Sequence, residues 1–443
     1  MCCFTKRNPQ GMLATMRILH VTQRYLPAVG GAELYLAGLS ARLAGDGHVV
    51  TVVTTDAQDF ELFWSPNARR IAQPESVIDG VRVLRFPVRH LPAPQLSYPA
   101  IRRLLWLLAK ASWLPTSWLH RLACFTPWTP ALYDWLAQTD EAFDLVAGMT
   151  IVFEPLLAAA AHYAKRTHTP FVIYPLTHLG AGSAPGADDV SRFYTMRHQV
   201  ELVTQSAFLI AINHDEAAFY QQRGLPAQRT LVAGPGVDLA DLAGGNGARL
   251  RQQYGLEGTI VGMLSAMAYD KGAVHVVEAM RALWRQGRAI HLILAGAVLT
   301  PFQRYLDTLP TDERRRIVVM GTVDHQTKLD LLDALDMLAL PSRTDSFGIV
   351  FLEAWVYGKP VIGAQAWGVR TVVDDGVDGL LVPFGDVAAL ASAISALTDD
   401  PVFRQRLGEA GRRKVHNQHT WDHKYPLVRQ VYTQLCQEAS HAA

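Results

Sequence analysis

Cysteine is scarce in this chain: four in 443 residues, at Cys2, Cys3, Cys124 and Cys436. No spacing among them suggests a zinc module or a disulfide framework, so a reducing cytoplasm is the simplest compartment. Net charge is nearly absent, because 41 Lys and Arg face 40 Asp and Glu to leave +1. That balance makes no general case for nucleic acid. Long apolar runs are missing too. Ile101–Leu108 is strongly apolar, but a bilayer span takes about 20 residues. Residues 1–15 are polar, carry Pro9 and Gly11, and lack the long apolar core of a signal peptide. They read as a disordered N-terminal extension. No Asp-x-Asp stands in a suitable place for a cation.

Acid is missing locally as well. From Gly80 to Tyr133 there is no Asp or Glu, while Arg82, Arg85, Arg89, Arg102, Arg103, Lys110 and Arg121 are present. Trp106, Trp113, Trp118 and Trp128 share the segment, with Trp135 just beyond. Cationic amphipathic segments with Trp lie in membrane interfaces. Three readings of 92–135 stand: a peripheral membrane contact, an acceptor groove, or an apolar helical pair packed on the first domain.

Against these absences, 49% of the residues are hydrophobic. That is enough for two good cores, and the length suggests two or three domains. The most informative stretch is Leu340–Pro360. The apolar run Met337–Leu340 reads as a buried strand, stopped by Pro341 and Ser342. Ser346, Phe347 and Gly348 form a tight turn. A helix beginning near Gly348 or Ile349 ends by Gly358, with Pro360 beyond. The first N–H groups of a helix lack intrahelical partners and attract anions. Gly348 lets a phosphate approach the backbone closely. Asp345 and Glu353 flank this mouth about a helical turn apart, and Glu353 sits in an apolar run where a solvated face is not expected.

The same logic recurs upstream. Ile18–Thr22 is a buried strand, followed by Gly30-Gly31 and a helix over Leu34, Leu36, Leu39 and Leu43. His48–Val53 is the next strand, which makes a strand–helix–strand unit with parallel strands. The glycine pair then lies at a strand's carboxyl end, where open parallel sheets bind ligands. Pro170–His178 reads as a strand ending in His178, aimed at the cleft. His162, His168 and His198 have no comparable context.

The stretch around Asp345 and Glu353 resembles the Glu-x7-Glu motif of the retaining glycosyltransferases of family 4, with Asp345 in place of the first Glu. The resemblance continues through Gly358–Gly363, Asp375–Val382, Gly30-Gly31 and Lys271-Gly272, and covers nearly everything after Met16. It implies an α/β chain of the GT-B fold: two Rossmann-like, doubly wound parallel-sheet domains facing a cleft, with the C-terminal helix crossing back. The expected limits are 16–235 for the acceptor-binding domain, 236–415 for the nucleotide-sugar domain and 416–443 for the returning helix.

The resemblance also implies the chemistry. A sugar would pass, with retention and without a metal or other cofactor, from a nucleoside-diphosphate sugar to a glycan, lipid-linked or small-molecule acceptor. Asp345 and His178 are expected at the donor sugar. Lys271, Gly30, Gly31, Ser346, Phe347, Gly348 and Ile349 are expected at the diphosphate. Glu353 is expected at the ribose and Val323 near the base. Two departures matter. Ser265 and Ala266 stand where the family has Gly-Arg, so a guanidinium is missing that Arg343 or Arg370 would have to replace. Asp345 is one methylene short. A nucleotide-sugar-binding subunit without transferase activity is therefore the competing reading, with a phosphorylase or epimerase as a minor one.

Overall fold

The computed structural model describes residues 15–442. The extension expected over 1–15, Thr15 apart, lies outside the described residues.

Two sheets organise the chain. The first holds β1 (Arg17–Val21), β2 (Val49–Thr55), β3 (Glu75–Ile78), β4 (Val81–Phe86), β5 (Leu145–Met149), β6 (Phe171–Tyr174), β7 (Phe208–Ala211) and β8 (Thr230–Val232), in the order β3-β4-β2-β1-β5-β6-β7-β8. The second holds β9 (Thr259–Leu264), β10 (Ile290–Ala295), β11 (Ile317–Gly321), β12 (Met337–Leu340), β13 (Val361–Ala364) and β14 (Gly379–Val382), in the order β11-β10-β9-β12-β13-β14. All pairings are parallel except the edge pair β3–β4.

Parallel strands carry helices on both faces and are therefore apolar along their whole length. In β1, Ile18 to Val21 are all buried, and so are all four residues of β12. One apolar core runs from one face of the first sheet into the second half of the molecule, and another fills the opposite face of the first sheet. Strand order reverses between β1 and β5 in the first sheet and between β9 and β12 in the second. Such switch points open a crevice at the carboxyl ends of the strands.

Local chemistry moved several expected boundaries. β6 stops at Tyr174, because Pro175 has no N–H to continue a ladder. His178 therefore lies in the loop beyond the strand rather than at its end. Lys271 closes a short 3-10 turn, Gly272 takes a left-handed φ of +83°, and the α-helix proper begins at Ala273. The boundary expected at 416 falls inside the helix Pro401–Gln418, and the terminal helix starts at Trp421. Helix α1 (Gly31–Gly45) follows β1 as expected. The segment 92–135 carries three helices rather than a pair: α2 (Pro94–Ala109), α3 (Thr116–Ala123) and α4 (Pro130–Gln138), the last running past its end.

The chain crosses between the two halves twice, and the crossings pair with each other. Val237 donates its N–H to the His419 carbonyl at 2.8 Å, and Trp421 donates to the Val237 carbonyl at 3.2 Å. The helix Trp421–Ala442 then returns to the first sheet. Tyr432 Oη accepts from Tyr174 Oη at 2.9 Å and lies 3.2 Å from His20 Nε2, while Tyr425 and Arg429 each bond Asp46 at 2.7 Å.

Candidate active site

The two switch points face one another across a cavity of about 180 Å³. The first half contributes Gly31, Tyr35, Thr150, Leu176, His178 and Pro235 to its wall; the second contributes Lys271 and Asp345 to Ile349. A neighbouring cavity of about 380 Å³ shares Tyr35, Pro235 and Ile349 and reaches Glu353, Lys328 and His325. The elements explain the convergence. Lys271 follows β9, Asp345 to Gly348 follow β12, Gly31 follows β1 and Thr150 follows β5.

Gly348 caps the helix Ile349–Val356 with φ +82°, a conformation that suits glycine. It turns the loop so that the helix mouth opens into the cavity. Lys271 Nζ lies 3.0 Å from Asp345 Oδ2, with both side chains largely covered. Burial disfavours the Asp345 charge, but the Lys271 ammonium, the Ser342 hydroxyl and His178 more than offset it, and the carboxyl lies below its usual range. His178 is pushed down to about 4, by burial first and then by Lys271, against the opposing pull of Asp345. It is neutral at pH 7. Its ring packs 4.5 Å from that of Tyr194, and its Nδ1 is buried without a protein partner.

Gly31, His178, Lys271, Asp345, Ser346, Phe347, Gly348 and Ile349 thus line one cavity, and Glu353 lines the next, 2.8 Å from Lys328. Gly30 and Val323 line neither. Gly30 caps α1, and a Cβ there would strike the carboxylate of Glu33, which pairs with Arg24 at 2.9 Å. Val323 packs against the core, and His325 and Lys328 stand at the wall beyond it. Neither candidate for the missing guanidinium reaches either cavity. Arg343 holds Asp270 at 2.7 Å, and Arg370 holds Asp215 at 2.9 Å. Ala266 is exposed past the end of β9.

Other contributors were missed from sequence. Thr150 takes φ +79° and Leu176 φ +49°, both at the cavity wall. Non-glycine residues held there cluster at functional sites. The only available signal for Thr150 was its place just after β5. His198 does have a context: it is fully buried, 3.1 Å from Glu154, which also holds Arg102 at 2.6 Å. Contacts across the cleft were also not anticipated. Asn213 donates its side-chain amide to the Ser346 carbonyl at 2.7 Å. Trp367 donates its backbone N–H to the Gly180 carbonyl and its indole N–H to the Gly182 carbonyl, both at 2.9 Å.

Comparison with known proteins adds to this geometry. Residues 30–236 match the family model described as "Glycosyl transferase 4-like domain", and 248–414 match "Glycosyl transferases group 1". The α-D-kanosaminyltransferase of Streptomyces kanamyceticus is 32% identical over 37% of this chain and 42% of its own. The D-inositol 3-phosphate glycosyltransferase of Xylanimonas cellulosilytica is 31% identical over 53% and 58%. The chain thus spans about half the length of these two relatives. A glycogen synthase of Mycobacterium tuberculosis is 28% identical over 94% of both chains. Among solved structures, HepE of Anabaena in complex with UDP superposes with a TM-score of 0.66 at 20% identity, over 95% of this chain and 100% of that one. Sucrose-phosphate synthase of Thermosynechococcus elongatus gives 0.69 at 20%, over 95% and 99%. These likenesses give the two-domain GT-B fold.

Proposed function

The chain belongs to the glycosyl transferases of group 1, and from that premise we propose that it moves a sugar from a nucleoside-diphosphate sugar to a glycan, lipid-linked or small-molecule acceptor, with retention at the anomeric carbon and without a metal ion. One observation carries the reading. A cation, a helix mouth, an ionised carboxylate and a neutral histidine converge on one cavity between two sheet switch points.

Leaving-group departure puts charge on the diphosphate. The helix mouth at Phe347–Ile349 supplies N–H groups worth up to about 2 kcal/mol to an anion in a partly buried site. Lys271 adds a full positive charge. It is paired with Asp345 at 3.0 Å, so a diphosphate competes with that carboxylate for it. The freed Asp345 then faces the sugar, where positive charge develops. This is stabilisation by groups already in place. His178, neutral, orients the sugar by hydrogen bonding. Glu353, with Lys328 beside it, meets the ribose in the adjoining cavity. The contacts Asn213–Ser346 and Trp367–Gly182 hold the cleft shut and keep out the water that would hydrolyse the donor. Asp345 is not assigned a covalent bond to the sugar; attack on the same face fits equally well.

The donor base is open. HepE is described in complex with UDP and with UDP-glucose, so uridine donors come first in a panel. The test is release of nucleoside diphosphate when the chain is incubated with nucleotide sugars and candidate acceptors. Acceptor-dependent release with a retained anomer supports the reading. Donor binding with no release returns the chain to a binding subunit. Activity abolished by a chelator and restored by manganese sinks the metal-independent part.

A further inference from the structure

The three-helix segment does not spend its apolar residues on the fold alone. On its inner side, α2 is fixed by a buried pair, Arg102 with Glu154 at 2.6 Å, and Arg102 also donates to the Phe193 carbonyl at 3.0 Å. Leu105, Leu119 and Ala123 pack with Met196 in a small core of their own. The outer side is different. Leu96, Leu107, Trp113 and Trp118 are 74%, 55%, 81% and 62% exposed. Leu96, Arg103, Leu107 and Lys110 recur at helical spacing, so they share one stripe of α2. Trp118 and Arg121 lie on one face of α3, which packs on α2. Trp113 is not a loose tip. The loop bearing it is braced by Arg197, whose guanidinium donates to the carbonyls of Ala111 at 3.0 Å and Leu114 at 2.6 Å. The fold holds these side chains outward.

We infer that the outer face of α2 and α3 docks on an anionic lipid bilayer through Leu96, Leu107, Trp113 and Trp118, flanked by Arg103, Lys110 and Arg121. Three features select this occupant. Apolar side chains with Trp among cations match the boundary between acyl chains and anionic headgroups. From Gly80 to Tyr133 the sequence has no carboxylate for such a surface to repel. A second copy fits badly, because a two-fold interface sets the same patch against itself and would bring the three cations together with no acid of the segment between them. Among the described residues no helix is long and apolar enough to cross a membrane, so the contact is one of lying on the surface. The docked face is one loop from the cavity: Phe193, held by Arg102, precedes Tyr194, which packs on His178. An acceptor carried in the bilayer would enter from that side.

The inference stands apart from the transferase reading and is tested without donor. The full chain is sedimented with vesicles of phosphatidylcholine plus phosphatidylglycerol and with vesicles of phosphatidylcholine alone. Binding is expected to the anionic vesicles, weakening as salt rises. Arg103→Glu with Lys110→Glu, and separately Trp113→Ser with Trp118→Ser, should each cut partitioning about tenfold or more, while the thermal melt stays as in the unaltered chain. The salt titration needs no variant and guards against a misfolded one. Failure of the unaltered chain to bind anionic vesicles, equal binding to neutral ones, or undiminished binding by both variants overturns the inference. So does a dimer in solution that the Trp113→Ser, Trp118→Ser variant converts to monomer.

Discussion

Asn213 serves both halves of the molecule at once. Its Oδ1 accepts the N–H of Glu216 at 2.8 Å and so caps the helix His214–Gln221, while its Nδ2 reaches across the cleft to the Ser346 carbonyl at 2.7 Å. Ser346 stands at the mouth of the helix that faces the cavity. The side chain that starts one helix therefore fixes the distance to the start of another.

Substitution separates the two roles. Asn213→Ala loses cap and bridge, and about 1 kcal/mol of stability with the cap. Asn213→Ser keeps an oxygen for the cap but is too short to bridge. Thermal melts should place the Ser variant near the unaltered chain and the Ala variant below it. Both should show a raised KM for donor. Equal KM values for all three chains would remove the bridge from donor binding.

Lys271→Ala should weaken stabilisation by every nucleoside diphosphate alike, by about tenfold or more in Kd, since a hydrogen bond to a charged group is worth about 1.5–3 kcal/mol. A thermal-shift series over several bases reads this directly. Loss confined to one base would place Lys271 elsewhere than the diphosphate.

Acid should act in two windows. The folded-state pKa of His178 is about 4, against about 6.5 in an unfolded chain. Between these values the unfolded chain binds a proton that the folded one refuses, so stability falls with falling pH by about 1.4 kcal/mol per unit. His178→Phe should reduce that slope; His20, His48, His120, His275 and His419, also depressed by burial, add to it, and Glu216, pushed up to about 7 by burial, opposes it. Asp345 acts in the same direction but in a lower window. Its folded pKa lies below the unfolded value, so its contribution is present above about pH 4 and is lost as pH falls through the folded pKa. Asp345→Asn should alter the curve chiefly below pH 4. Denaturant melts across the acid range check both.

Glu353→Ala should weaken binding of the preferred nucleoside diphosphate about tenfold to a hundredfold. It should leave binding of the 2′,3′-dideoxy analogue nearly unchanged. Calorimetry on the four combinations isolates the ribose contact. Equal losses for both ligands would show that Glu353 acts only through Lys328, its partner at 2.8 Å.

Tyr432→Phe should lower stability by about 1–3 kcal/mol. It leaves the Tyr174 hydroxyl and His20 Nε2, both buried, without their partner. Reversible denaturant unfolding measures the change, and the ease of detaching the terminal helix should rise in proteolysis.

The strand–loop–helix from Met337 to Val356 was legible because an apolar run, a proline and a positive-φ glycine each mark a local event. That Lys271, Asp345 and His178 line one cavity agrees with their places after strands, although Lys271 was singled out by its resemblance to a family motif rather than by any local pattern. What sequence did not disclose is longer-range. Asn213 and Ser346 are 133 residues apart, and Trp367 and Gly182 are 185 apart; no local periodicity encodes such pairs. Arg102 read as one cation among several in an amphipathic segment, and spacing alone does not say which cation turns inward to a carboxylate such as Glu154. The left-handed backbone at Thr150 has no residue signature, since threonine ordinarily avoids it.

The paired crossings at Val237 and His419–Trp421 constrain how the molecule works. Two separate tethers would let the halves slide and twist against each other. Zipped side by side, they act as a single axle, and the remaining freedom is a swing. Lys271 and the helix mouth stand opposite Gly31 and His178 across the cavity, and the paired crossings hold those two walls in a single register.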